Sequence, residues 1–286
     1  MSLNGESFLQ NNFDPRQFVD PYFQKAKIIQ RCKWAAQFIV VLLAIISLFL
    51  ERNFVYLVAI LAILIQFFII CCRYFLYQYC STARDFNRLS RLNLAFGKTL
   101  DIDYSHLIKN VDTMILKKMK KVEDFESFDD RSKYSAESLR NSSKRFVFII
   151  AEDVHFNASI FQKCFYLYAC MTFIILLIPV NILLILIPFN DVGLAQIFVV
   201  FLSSVVATDL VSETLAWYQS SRMMREIDRD IYSLENSRCD FLANIFTKFC
   251  IADSMVPVVP DPVWNRYREP LNVSWRKKFA SIEKFE

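Results

Sequence analysis

The chain has 286 residues, 55% hydrophobic and 15% aromatic, with 28 phenylalanines and a formal net charge of +4. This is too apolar for an ordinary soluble domain and points to a membrane protein. Its 3 glycines, Gly5, Gly97 and Gly193, lie far apart, which excludes a P-loop and a dinucleotide fingerprint, since both need clustered glycines for backbone approach to phosphate. Eight cysteines form no CxxC pair and several flank or enter apolar runs, so reduced, buried thiols are expected.

Residues 1–33 are read as an amphipathic lead-in. No apolar stretch precedes Trp34, so no cleavable signal peptide is expected. Charge-free runs then occupy 34–50 and 54–72, separated by Glu51-Arg52-Asn53. Each is close to the ~20 residues needed to cross a bilayer, and together they predict a transmembrane hairpin over 34–72. A second hairpin is predicted over 164–211: Cys164 to Asn190 carries no charge, and LAQIFVVFLSSVVAT follows from Leu194 to Thr208. The four runs lack the polar face of a soluble amphipathic helix.

Both hairpin loops are short, with Arg52 their only cation, whereas the flanks carry Arg16, Lys25, Lys27, Arg31, Lys33, Arg73, Arg84, Lys163, Arg222 and Arg225. The positive-inside tendency then places both termini and the 73–163 region in the cytoplasm of a multi-pass inner-membrane protein. The expected fold is an all-α integral membrane protein of two helical hairpins, four spans in all, over a mainly helical cytoplasmic domain.

Within 73–163, the second span should continue inward as helix, because Arg73 to Tyr79 contains no breaker. Arg84, Arg88 and Arg91 follow at i, i+4 and i+7 as one basic stripe, which suits a solvated or headgroup-facing surface as well as an anion site. Apolar residues from Leu107 to Met119 recur at helical spacing beside four lysines, ahead of the acidic EDFESFDD at 123–130. A further helix should start after Asn141-Ser142-Ser143, whose side chains can cap it. Asp153 and His155 lie two apart and point to different faces, and His106 is the only other histidine. A metal site, a catalytic triad and enzymatic activity are therefore not expected, and no cofactor is implied.

In the 212–286 region, Met224, Ile227, Ile231, Leu234, Arg238, Phe241, Ile245 and Phe249 recur at steps of three and four, a bundle seam that Arg238 interrupts. It could pack within the chain or against a second subunit. Pro257, Pro260 and Pro262 are expected to stop any helix, giving an extended, proline-rich strap that presents Trp264, Arg266, Tyr267 and Arg268.

Three places carry a family likeness. They are Gln24 to Lys27 before the first span; Tyr134-Ser135-Ala136 followed by Lys144-Arg145-Phe146 and Ile150-Ala151-Glu152-Asp153; and Val256-Pro257-Val258-Val259-Pro260-Asp261 with Trp264. The chain resembles the SMODS-associated four-transmembrane pore-forming effectors of cyclic-oligonucleotide antiphage signalling (CBASS), encoded beside cGAS-like nucleotidyltransferases. It departs from the family's PDW-Y ending by placing Pro262 and Val263 between Asp and Trp. The resemblance implies an antiphage effector that binds a cyclic oligonucleotide on its cytoplasmic side, rearranges its spans and permeabilises the membrane. No nucleic-acid duplex is implied.

Such a ligand offers phosphates and flat bases, so its receptor needs cations and aromatic faces. Arg84, Arg88, Arg91, Lys144 and Arg145 are the phosphate candidates. Tyr134, Trp264 and Tyr267 are the stacking candidates, and Arg266 and Arg268 suit either role; anchoring of the aromatic tail to headgroups or to the bundle fits Trp264 and Tyr267 equally well.

In the spans, Pro179 and Asn181 interrupt a run that would reach ~40 Å as straight helix. Gln196 and Ser203 are polar positions, and Asp209 and Glu213 lie one turn apart where carboxylates can line a cation path. Turning a pore from about 1% to about 99% open needs a ~10⁴-fold preference of the ligand for the open state, ~5.5 kcal/mol, so a homo-oligomer such as a tetramer is expected. An ion channel or transporter without a nucleotide ligand, and a membrane scaffold, are the competing classes.

Overall fold

Six helices carry nearly all of the described residues of the computed structural model, which are 15–47, 49–50, 52–97, 111–112, 115, 142–186, 194–232 and 239–283. They are α1 (Arg16–Ile46), α2 (Arg52–Phe96), α3 (Ser142–Leu186), α4 (Leu194–Tyr232), α5 (Cys239–Met255) and α6 (Asp261–Glu283). Among the described residues there is no strand. Tyr134, the acidic run and nearly all of the lysine-rich 103–122 segment lie outside them, as do the side chains of Pro179, Asn181, Gln196 and Ser203.

Among the described residues three helices, α1, α2 and α3, are long and apolar enough to cross a membrane. Apolar helices suit that environment because every backbone N–H and C=O is satisfied within the segment. At ~1.5 Å per residue, the 45 residues of α2 reach ~68 Å, over twice the ~30 Å hydrocarbon layer. The helix therefore continues well past its apolar run, as the absence of a breaker after Arg73 predicts. α3 starts at Ser142, as the Asn-Ser-Ser signal predicts, and runs as one helix through Pro179 to Leu186. The fourth apolar run forms the first half of the 39-residue α4.

The most extensive pairings are α1 with α2 and α3 with α4, which gives two hairpins. The α1–α2 seam has a simple physical origin. Val55, Ala59, Ala62, Ile69, Cys72, Leu76, Cys80 and Ala83 are buried at steps of three, four or seven, so one largely small-residue ridge of α2 lets the partner backbone approach closely. Phe54, Leu57, Ile60, Leu64 and Phe67 on the remaining surface are exposed, the coat expected of a helix that faces lipid. Polarity does not mark this seam; residue size does.

Beyond the apolar runs the hairpins share one core. α4 packs on α5, and α6 lies on α3. Met224, Ile227 and Ile231 of α4 and Ile245 and Phe249 of α5 are all buried in that core, so the described part of the predicted seam packs within the chain. Aromatic contacts tie α6 down: Trp275 meets His155 at 5.5 Å, and Phe279 meets Phe148 at 5.5 Å.

The extended strap is corrected by the structure. Only Val256 to Pro260 is non-helical between α5 and α6, and α6 begins at Asp261. Pro262 occupies the first turn, where a helix needs no N–H from it and its fixed φ is already helical. The N–H groups of Val263 and Trp264 donate to the Pro260 carbonyl at 3.0 and 3.1 Å.

Candidate functional site

The basic stripe of α2 exists as a helical face, and its groups already have partners. The carbonyls near the C-terminal end of a helix lack some or all of their intrahelical partners and carry the negative end of the dipole. Arg84 meets that end of α5, and Arg88 and Arg91 meet the turn before it. Arg84 donates to the carbonyls of Ser254 (3.5 Å) and Val256 and pairs with Asp253 at 3.6 Å. Arg88 donates to the Cys250 carbonyl at 2.9 Å and to Asp85 at 3.1 Å. Arg91 pairs with Asp153 of α3, and its guanidinium lies 4.7 Å from the Phe249 ring centre. Arg84 and Arg91 are buried. The stripe thus clamps α2 to α5 and α3 and, at Arg84 and Arg91, is buried instead of forming a solvated or headgroup-facing surface.

The turn that follows α5 is pinned from the other side. Lys27 and Arg31 of α1 both reach Asp261 at 2.5 Å, at the N-terminus of α6. The Lys27 hydrogen bond, then the charges of Lys27 and Arg31, hold the Asp261 carboxyl below its usual value against the opposing effect of burial. A carboxylate there also complements the helix dipole.

Between these two clamps lies a cleft of about 720 Å³, within the size range of small-molecule sites. Its walls come from α1 (Asp20 to Lys27), α2 (Arg84, Asn87, Arg91), α3 (Glu152 to Phe161), Asp253 at the end of α5 with the 256–259 turn, and α6 (Trp264 to Arg276). Four residues singled out as ligand contacts line it: Arg84, Arg91, Trp264 and Arg268. Arg88, Lys144, Arg145, Arg266 and Tyr267 do not. Arg145 donates to the Leu94 carbonyl at the end of α2, at 3.4 Å. Tyr267 sits under Lys163 and beside Arg266, at 5.3 and 5.8 Å from its ring centre.

The cleft also contains residues that the sequence did not single out, Asn157, Asn272, Trp275 and Arg276. Their only sequence signal is the four-residue step of Arg268, Asn272 and Arg276, which is legible once that segment is known to be helical.

A second polar cluster joins the two hairpins where the apolar runs end. Lys33 is 1% exposed and pairs with Glu213 of α4. Gln30 donates to the Tyr168 hydroxyl at 2.9 Å, and Trp34 and Trp217 flank that ring at 5.9 and 5.8 Å. Thr172 and Thr214 hydrogen-bond at 3.0 Å, and Arg73 of α2 pairs with Asp209 of α4. Asp209 and Glu213 therefore serve as cross-hairpin ion-pair partners in this conformation, not as a carboxylate lining of an open path.

Comparison with known proteins gives no matching family model, no matching curated protein and no matching solved structure.

Proposed function

We propose that this chain is a multi-pass effector of the bacterial inner membrane that binds a cyclic oligonucleotide in the cleft and responds by rearranging its spans until the membrane leaks. The observation that carries the reading is the position of the cleft. Three of its five walls belong to α1, α2 and α3, and each of these helices continues directly into an apolar run. A ligand that draws the walls together therefore pulls on both hairpins. The first half of α4 is the fourth span, the two loops face outward, and the cleft lies in the cytoplasm, as the placement of Lys and Arg supports.

The resting state is held by the cross-hairpin pairs Lys33–Glu213 and Arg73–Asp209. The ligand's differential affinity has to overcome them, at ~5.5 kcal/mol for a complete switch, and several subunits around one opening add their contributions. The test is dye release from vesicles containing the purified protein. Cyclic di- or trinucleotide should trigger release at low concentration, and linear mononucleotides should not. Release that ignores every nucleotide would instead favour a constitutive channel.

A further inference from the structure

The lining of the cleft is balanced in charge: Lys27, Arg84, Arg91, Arg268 and Arg276 face Asp20, Glu152, Asp153, Asp253 and Glu269. A pure anion site would not look like this. The balance resolves by wall. Arg84, Arg91 and Lys27 pair with Asp253, Asp153 and Asp261. Arg268 and Arg276, both on α6, have no ion-pair partner among the described residues. They stand two helical turns apart, ~12 Å along the axis, with Asn272 between them and Trp264 one turn before. Glu152 and Asn157 of α3 also line the cleft; Arg268 and Asn272 are half-buried, and Arg276, like Asp20 and Glu269, is exposed at its edge.

We infer that the recognition wall of the cleft is the Trp264–Arg268–Asn272–Arg276 face of α6, and that its ligand is a phosphodiester whose heteroaromatic base carries an exocyclic amine. This rests on the nucleotide reading above and assigns its chemistry. Guanidinium takes phosphate oxygens in pairs, indole stacks on a flat base, and a carboxylate or an asparagine side chain reads an exocyclic amine. Adenine, guanine and cytosine bear that amine; uracil does not. The arginines of α2 contribute by holding α5 and the 256–259 turn, and with them the position of α6.

The test is titration of the full chain, in nanodiscs of zwitterionic lipid, with cyclic di-adenosine, di-guanosine and di-uridine monophosphate, read by microscale thermophoresis. At least one of the adenine or guanine ligands should bind, with cyclic di-uridine monophosphate at least tenfold weaker. R268Q/R276Q should lose at least tenfold in affinity at an unchanged melting temperature, and R268K/R276K should recover part of it. R266Q, outside the cleft, should match the parent, and E152Q should narrow the gap between amine-bearing and uridine ligands. Full affinity in R268Q/R276Q, or uridine binding as tight as the others, would overturn the assignment.

A headgroup source of the phosphate is separated by a nucleotide-free arm with phosphatidylglycerol nanodiscs. Stabilisation there that depends on Arg268 and Arg276, with no nucleotide effect, would also overturn it. Nucleotide binding that needs these arginines but causes no dye release would leave the wall assigned and defeat the effector reading alone.

Discussion

Arg91 and Arg222 show how burial decides what a charge is for. Arg91 is 4% exposed and pairs with Asp153, whereas Arg222 makes an i, i+4 pair with Glu226 at 3.2 Å in open solvent. Removing one partner of a buried pair leaves an uncompensated charge and costs about 3 kcal/mol, and an exposed helical pair is worth under about 0.5 kcal/mol. Arg91→Met should therefore lower the melting temperature strongly, with Arg222→Met nearly silent. Asp261 adds a pH signature. Its carboxyl is held below the ordinary value of 3.8 by Lys27 and Arg31, so its contribution is present above that pH and is lost as pH falls through the depressed value. Fluorescence of Trp264 should report loosening of the start of α6 in that acid range, and Asp261→Asn should flatten the transition. The α2 stripe itself was legible at this scale from its i, i+4, i+7 spacing. Its commitment was not, because Cys250, Ser254 and Val256 lie about 160 to 170 residues away in the chain.

Helices give themselves away when nothing interrupts them. The inward continuation of α2 and the start of α3 at Ser142 both follow from local sequence. The C-terminal segment misled because proline was read as a stop signal, when Pro262 sits at a helix start, where proline is favoured; Pro270 is carried inside α6 as well. The pairing of hairpins was likewise illegible, since Lys33 precedes an apolar run and carries no sign of its partner 180 residues on. That pairing has a testable consequence. Glu213→Lys and Lys33→Glu alone should each weaken the closed arrangement, seen as lower melting temperature and dye release without ligand. The combined exchange should restore much of both, because it returns opposite charges to one buried site. Failure of the double exchange to improve on either single change would argue against a direct electrostatic tie between the hairpins.

At the scale of the molecule, the distribution of chemistry is what the fold builds. Small residues close the seam, large apolar residues cover the outside of α2, and ionised groups collect where the apolar runs end. The all-helical class and the presence of helices long and apolar enough to cross a membrane were legible from composition and run lengths. The cleft was not, because its walls come from five separate stretches of chain that only tertiary packing assembles. The central claim is that occupying this cleft moves one hairpin relative to the other. Spin labels at Gln78 on α2 and Gln219 on α4, both exposed, measure that movement directly by electron–electron resonance in nanodiscs. The account predicts a shifted distance distribution on adding the cyclic nucleotide that binds, and no shift in R268Q/R276Q. An unchanged distribution at saturating ligand would contradict it.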